Sequence, residues 1–160
     1  MRKLYFSLCA LLAFAMSADA AKRPNVVFLV SEDNSIHYLK LYGYEASTPS
    51  IEALAKDGLT FNHAFSNSPV CSVARSTLAT AMLAPRGGFQ YHRKSAMAKL
   101  PPGYKPWSAM LRKAGYFATN QRKTDYNFVH DMKELWDKGP ANAAWRARPG
   151  KDTPFFHMQS

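Results

Sequence analysis

Apolar and polar positions along this chain fall into two rhythms that alternate. Asn25 to Val30 (NVVFLV) is a short, continuous, β-branched run, the pattern of a buried parallel strand. The polar cluster Ser31-Glu32-Asp33-Asn34-Ser35 follows it as a loop at the strand's C-terminal edge. Thr48-Pro49 predicts a helix start, with Thr48 as cap, Pro49 in the first turn, and Ile51, Leu54 and Ala55 sharing one face. Gly58 is expected to close that helix. Leu59 to Phe65 alternates with a period of two and predicts a second strand.

Ser66-Asn67-Ser68-Pro69 reads as a turn, and a helix is expected from about Ser72 to Met82. Residues 85–103, rich in proline and glycine and carrying Arg86, His92, Arg93, Lys94 and Lys99, read as a long basic loop. A helix over 106–114, closed by Gly115, leads into a strand at Tyr116–Asn120. Residues 139–152 look loop-like, and Thr153–Met158 predicts a last strand whose Phe155 and Phe156 need cover. Strands separated by helices define an α/β fold with a largely parallel sheet, whose sites gather at the strands' C-terminal ends. The chain stops just after an apolar strand, as the N-terminal part of a longer domain would.

The first twenty residues have another origin. Arg2 and Lys3, the apolar run Leu4–Met16 and the small-residue end Ala18-Asp19-Ala20 are the three parts of a secretory signal peptide. The run is too short to span a bilayer as a helix, so no stable membrane insertion is expected. Cleavage near Ala20 implies a secreted or periplasmic protein and removes Cys9, leaving Cys71 as the one cysteine. A lone cysteine in an exported chain has no internal disulfide partner. It is buried and inert, bonded to another chain, or present for chemistry.

Composition narrows the partners. At 47% hydrophobic and 20% charged residues the chain is neither disordered nor collagen-like. Its 21 basic residues against 11 acidic ones give a net charge of +10. After loss of Arg2, Lys3 and Asp19 the balance is still +9, which favours anionic partners. No aromatic-basic motif of a nucleic-acid module is present, and export argues against such a partner.

Three places carry unusual polar chemistry. Glu32 and Asp33 are adjacent carboxylates at a strand's edge, where a hard, oxygen-liganded cation would relieve their repulsion. A solvated acidic loop has the same pattern. Cys71 stands at an expected helix N-terminus, with Arg75 one turn on along the same face. That suits a nucleophile acting on an anionic tetrahedral ester, though spacing alone leaves open a structural cysteine beside a surface arginine. Lys123 follows a predicted strand and puts a cation at the same edge, a position a solvated lysine could also hold. His92 lies in the basic loop, either lining the pocket or at the surface. His37, His63, His130 and His157 lack metal-ligand spacing, and Trp107, Trp136 and Trp145 read as packing residues.

The runs KRPNVVFLVSEDNS, STPSIEALAKDGLTFNHAFSNSPVCSVARSTLAT and LRKAGYFATNQRKTDYN, taken in this order, give the chain its family resemblance. From Arg23 to about Ser160 it resembles the type I sulfatases, formylglycine-dependent enzymes of the alkaline phosphatase-like superfamily. The strongest element is the Cys-x-(Pro or Ala)-x-Arg signature at Cys71–Arg75.

The resemblance implies an alkaline phosphatase-like sandwich with a largely parallel central sheet and flanking helices. It implies that Cys71 is oxidised to formylglycine by a maturation enzyme, that Arg75 supports this residue and that Lys123 contacts the sulfate. Glu32 and Asp33, with the modified Cys71, would hold Ca2+. The substrate would be a sulfated small molecule or polysaccharide. The chain departs from the family pattern at Val73, where Pro or Ala is usual, at Glu32, where Asp is usual, and at Asp125, where His is common. Further family ligands, an Asp-Asn pair, a histidine and a second lysine, are expected beyond Ser160. Two other readings fit the same residues: a phosphoesterase or phosphonate hydrolase of the superfamily, and a non-catalytic basic protein that binds acidic polysaccharide.

Overall fold

The computed structural model describes residues 22–93, 97–137 and 145–160. The segment read as a signal peptide lies outside them, as does the part of the 139–152 loop up to residue 144.

Three strands form one parallel sheet. They are β1 (Val26–Leu29), β2 (Phe117–Gln121) and β3 (Phe155–Gln159), in the order β1-β3-β2. Val26 pairs with Phe156 and Phe117 with Phe155, so the last strand in sequence is the central one. Its residues Phe155 to Met158 are all buried, as a continuous apolar run in the middle of a parallel sheet should be. The helices are α1 (Pro49–Asp57), α2 (Cys71–Thr80), α3 (Ala84–Gly87), α4 (Trp107–Lys113) and α5 (Met132–Leu135). Single 3-10 turns lie at Ile36–Tyr38, Lys40–Tyr42 and Trp145–Ala147.

The core forms around Phe156. Its ring meets Trp107 at 4.2 Å, Trp136 at 5.6 Å and, edge-on, Phe28 at 5.7 Å. Phe155 is covered by Trp145, stacked at 5.1 Å, with the Arg148 guanidinium 5.4 Å from its ring. The three tryptophans are therefore packing residues, as the sequence implied. Trp107 also ties α4 to α2, because its indole N–H donates to the Leu78 carbonyl at 2.7 Å. Gly115 closes α4 with left-handed backbone (φ 86°), its N–H donating to the Arg112 carbonyl.

Several expectations need correction. Leu59 to Phe65 is not a strand: no neighbouring strand offers it a ladder among the described residues, and Leu59, Phe61 and Phe65 stand exposed. Thr48 precedes α1 but does not cap it. Its hydroxyl accepts from the Lys40 N–H and donates to Glu52 Oε1. Gly58 does close the helix as expected, in extended backbone (φ −126°, ψ −169°). The basic loop is less irregular than its composition implied, for α3 opens it and a bridge from Ala98 to Phe128 pins its far end. β1 is an edge strand with one open face, so Val27 and Leu29 remain 50% and 67% exposed. The apolar face of α1 is likewise open at Ile51 and Leu54.

This arrangement separates core from rim energetically. Truncating Phe156 to Ala is expected to cost about 3–5 kcal/mol, whereas Val27→Ala costs less than about 1 kcal/mol. Urea unfolding midpoints with unchanged slope check this; equal losses at the two positions would contradict the packing described.

Candidate active site

The C-terminal ends of all three strands converge on one side chain. Arg75, on the second turn of α2, is buried, with 6% of its side chain exposed. Its Nη2 donates to Glu32 Oε1, in the loop after β1, at 3.1 Å. Its Nη1 donates to Ser160 Oγ, just after β3, at 2.9 Å. Its Nε lies 3.8 Å from Asp125 Oδ1, in the segment after β2.

Glu32 receives a second cation, the Lys123 ammonium, which donates to the same oxygen that Arg75 binds. The chain turns sharply to deliver Lys123. Arg122 is left-handed (φ 81°), and the buried Asn120 side chain donates to the Lys123 carbonyl at 3.0 Å. The Lys123 hydrogen bond and the Arg75 guanidinium hold the Glu32 carboxyl below its ordinary value of 4.5, against the opposing effect of burial. The bond to Glu32 in turn raises Lys123.

Cys71 is the first residue of α2, a free and partly exposed thiol with Val70 at the cap position and no side chain capping the helix. The uncapped N–H groups there favour negative charge at that end. The helix that Cys71 opens carries Arg75 one turn later, and Arg75 and Lys123 meet on Glu32. The four residues Glu32, Cys71, Arg75 and Lys123 thus share one edge of the sheet.

Sequence reasoning left the roles of Asp125 and His92 open and missed those of Arg93 and Asn127. Arg93 Nη2 donates to Asp125 Oδ2 at 2.9 Å, so Asp125 stands between two arginines. His92 Nδ1 lies 2.8 Å from Ser72 Oγ, so the residue is exposed but its ring stands next to the start of α2. Both residues are set by Asn127, which is fully buried. Its side chain donates to the carbonyls of Phe89 and Tyr91 and accepts from the Arg93 N–H, while its own N–H donates to Ser76 Oγ. No local signal in the sequence announces that latch, since its partners lie 34 to 51 residues away. Burial pushes the neighbouring Tyr126 phenol up to about 12, so it stays neutral. Three residues with left-handed backbone other than glycine, Asp33, Arg93 and Arg122, flank this site.

Glu32 and Asp33 offer the hard oxygen donors that calcium takes, and Asp33 is exposed with no cation partner among the described residues. The pair fits such an ion as part of a shell of about 6–8 oxygens. Among the described residues no group of three or more His, Cys, Asp or Glu side chains comes together as a complete metal site. The remaining histidines have other partners, His157 with Thr119 Oγ1 and His130 with the Phe128 carbonyl.

Residues 24–155 match the family model described as Sulfatase, and the chain belongs to the sulfatase family. It is 34% identical over 145 residues to an ulvan-active sulfatase of Formosa agariphila, covering 84% of this chain and 24% of that protein. The human N-acetylgalactosamine-6-sulfatase is 31% identical over 110 residues, covering 62% of this chain and 21% of that one. Among solved structures, a 2-O GAG sulfatase superposes with a TM-score of 0.66 at 16% identity, covering 85% of this chain and 34% of the other. A second, solved in complex with its substrate D-glucosamine-2-N,6-O-disulfate, gives 0.62 at 17% identity, covering 86% and 34%. The fold is thus the N-terminal portion of the alkaline phosphatase-like α/β architecture. The chain spans about a quarter of the length of these curated relatives.

The ion-pair network has a signed pH dependence. A depressed carboxylate stabilises the fold fully above its ordinary value and ceases to do so as pH falls through the lowered one. Wild type should therefore exceed Glu32→Gln in stability above pH 4.5 and lose that margin on further acidification. Denaturant melts over a pH series measure it, and a constant margin would exclude the bridge. Arg75→Lys is expected to cost about 2–3 kcal/mol, below the figure for a fully buried pair because Glu32 and Asp125 keep some solvent.

Proposed function

We propose that the protein hydrolyses sulfate esters of a carbohydrate, with the Cys71 position as nucleophile after oxidation to formylglycine. The observation that carries this reading is the gathering of Arg75, Lys123 and Glu32 at one end of the sheet, with Cys71 one turn before Arg75 on the same helix. Family membership and the printed activities of the relatives support it.

In the proposed reaction an ester and water give an alcohol and hydrogen sulfate. Formylglycine at position 71 would supply a hydrated aldehyde, with one oxygen to attack sulfur and a second to release the product, the logic of covalent catalysis. Arg75 fixes the geometry of that position by locking α2 to the three strand ends. Lys123, 36% exposed and anchored on Glu32, is placed to contact the sulfate oxygens as charge moves toward the leaving group. Calcium, held in part by Glu32 and Asp33, would add positive charge at the ester oxygens. His92, fixed by Ser72, stands beside the nucleophile position and would exchange protons there.

A formylglycine-generating enzyme and a sulfated saccharide are the partners this reading requires. It also places the mature protein in the periplasm or outside the cell. No helix among the described residues is long and apolar enough to cross a membrane.

Mass spectrometry of the peptide containing Cys71, from protein made in its own host, should show an aldehyde in place of the thiol. Cys71→Ala is expected to lower sulfate release by at least about 10³-fold, and Lys123→Ala by about 10²–10³-fold. An unmodified thiol in protein that still releases sulfate would reject the mechanism. Faster cleavage of the phosphate ester than of the sulfate ester of the same alcohol would reject the substrate class.

A further inference from the structure

The three site cations form a ladder from inside to outside. Arg75 is 6% exposed, donates to Glu32 and Ser160 and lies 3.8 Å from Asp125; Lys123 is 36% exposed; Arg93 is 58% exposed. Arg93 is the outermost of the three and combines a fixed position with open donors. Asp125 holds its Nη2, Asn127 holds its backbone N–H, and its other guanidinium nitrogens have no partner among the described residues.

A cavity of about 340 Å³ lies against it, walled by Ser72, Arg93, Thr124, Asp125, Tyr126 and His130. Ser72 follows Cys71 directly, so this cavity opens beside the nucleophile rather than on it. Its volume is at the small end of ligand sites and suits one ring rather than a chain of them. Neither Arg75 nor Lys123 contributes to the wall. Whatever occupies the cavity therefore meets Arg93 and not the two cations placed at the scissile group.

We propose that Arg93 is a specificity-determining residue, contacting a second anionic substituent on the sugar whose first sulfate sits at Cys71. This rests on the sulfate-ester reading above. The charge logic is local. Asp125 alone at this wall would repel an anion, and one bond from Arg93 Nη2 offsets its charge while leaving Nη1 and Nε to donate to carboxylate or sulfate oxygens. Asp125 acts as the positioning residue, holding the guanidinium between the cavity and Arg75.

The test uses the full mature polypeptide and two probes, a hexosamine carrying two sulfates and the same sugar carrying one, titrated calorimetrically. Wild type should bind the disulfated sugar tighter by on the order of tenfold. Arg93→Met should bind the monosulfated sugar within about threefold of wild type and lose the preference, whereas Arg93→Lys restores part of it. Asp125→Asn, which loosens the guanidinium without removing it, should reduce the preference, as a purely structural arginine would not. Lys56→Met, on α1, should leave it intact, excluding a general effect of net charge. A preference that survives in Arg93→Met, or its absence in wild type, overturns the proposal. Sulfate release from a small aryl sulfate with no second anionic group reports separately on the reaction, so failure there with an Arg93-dependent preference would reject the mechanism and not this role.

Discussion

A guanidinium taken out of water must be met by fixed acceptors, and that requirement organises the functional end of this molecule. Arg75 has little solvent to fall back on, so seating α2 on the sheet depends on Glu32 and Ser160 as acceptors, with the Asp125 carboxylate 3.8 Å away adding to the charge balance. Each acceptor follows a different strand. The pairing order of the sheet, the seating of the helix and the placement of Cys71 at the helix mouth are consequently a single condition rather than three. Lys123 shares it, since its anchor is the same Glu32 oxygen.

Much of this was legible in the sequence where the signal is local. β1, β2, β3, α1, α2 and α4 follow from apolar runs, helical spacing and the Pro49 and Gly115 punctuation, and their ends moved by only a residue or two. Glu32, Cys71, Arg75 and Lys123 could be named because strand ends and helix starts are where an α/β fold exposes its chemistry. What failed was the alternation over Leu59–Phe65, a pattern that describes a strand only if a neighbour exists to pair with it. What was invisible depends on contacts between distant segments: Ser160 on Arg75, Asn127 gripping the 89–93 segment, and the Thr48 hydroxyl diverted to Lys40. Such partners have no periodicity to betray them.

Asp125 shows how charges from separate segments are balanced. Its carboxylate stands between Arg75 of α2 and Arg93 of the basic loop. That loop is fastened to the segment following β2 by Asn127, which accepts from the Arg93 N–H and donates to the Tyr91 carbonyl. The position of the carboxylate and that of its outer cation are thus coupled through the same latch, and neither residue can be interpreted without the other.

The central position of β3 has a temporal consequence. β1 and β2 do not touch each other, so neither has a partner until the last residues of this chain have emerged. Arg75 and Ser160 are 85 residues apart, which at roughly 5–20 residues per second is an interval of about 4–17 seconds of synthesis. Throughout that interval the thiol at position 71 belongs to a helix with no sheet to lie on. Closure of the sheet then fixes the helix and narrows access to a side chain that stays partly exposed.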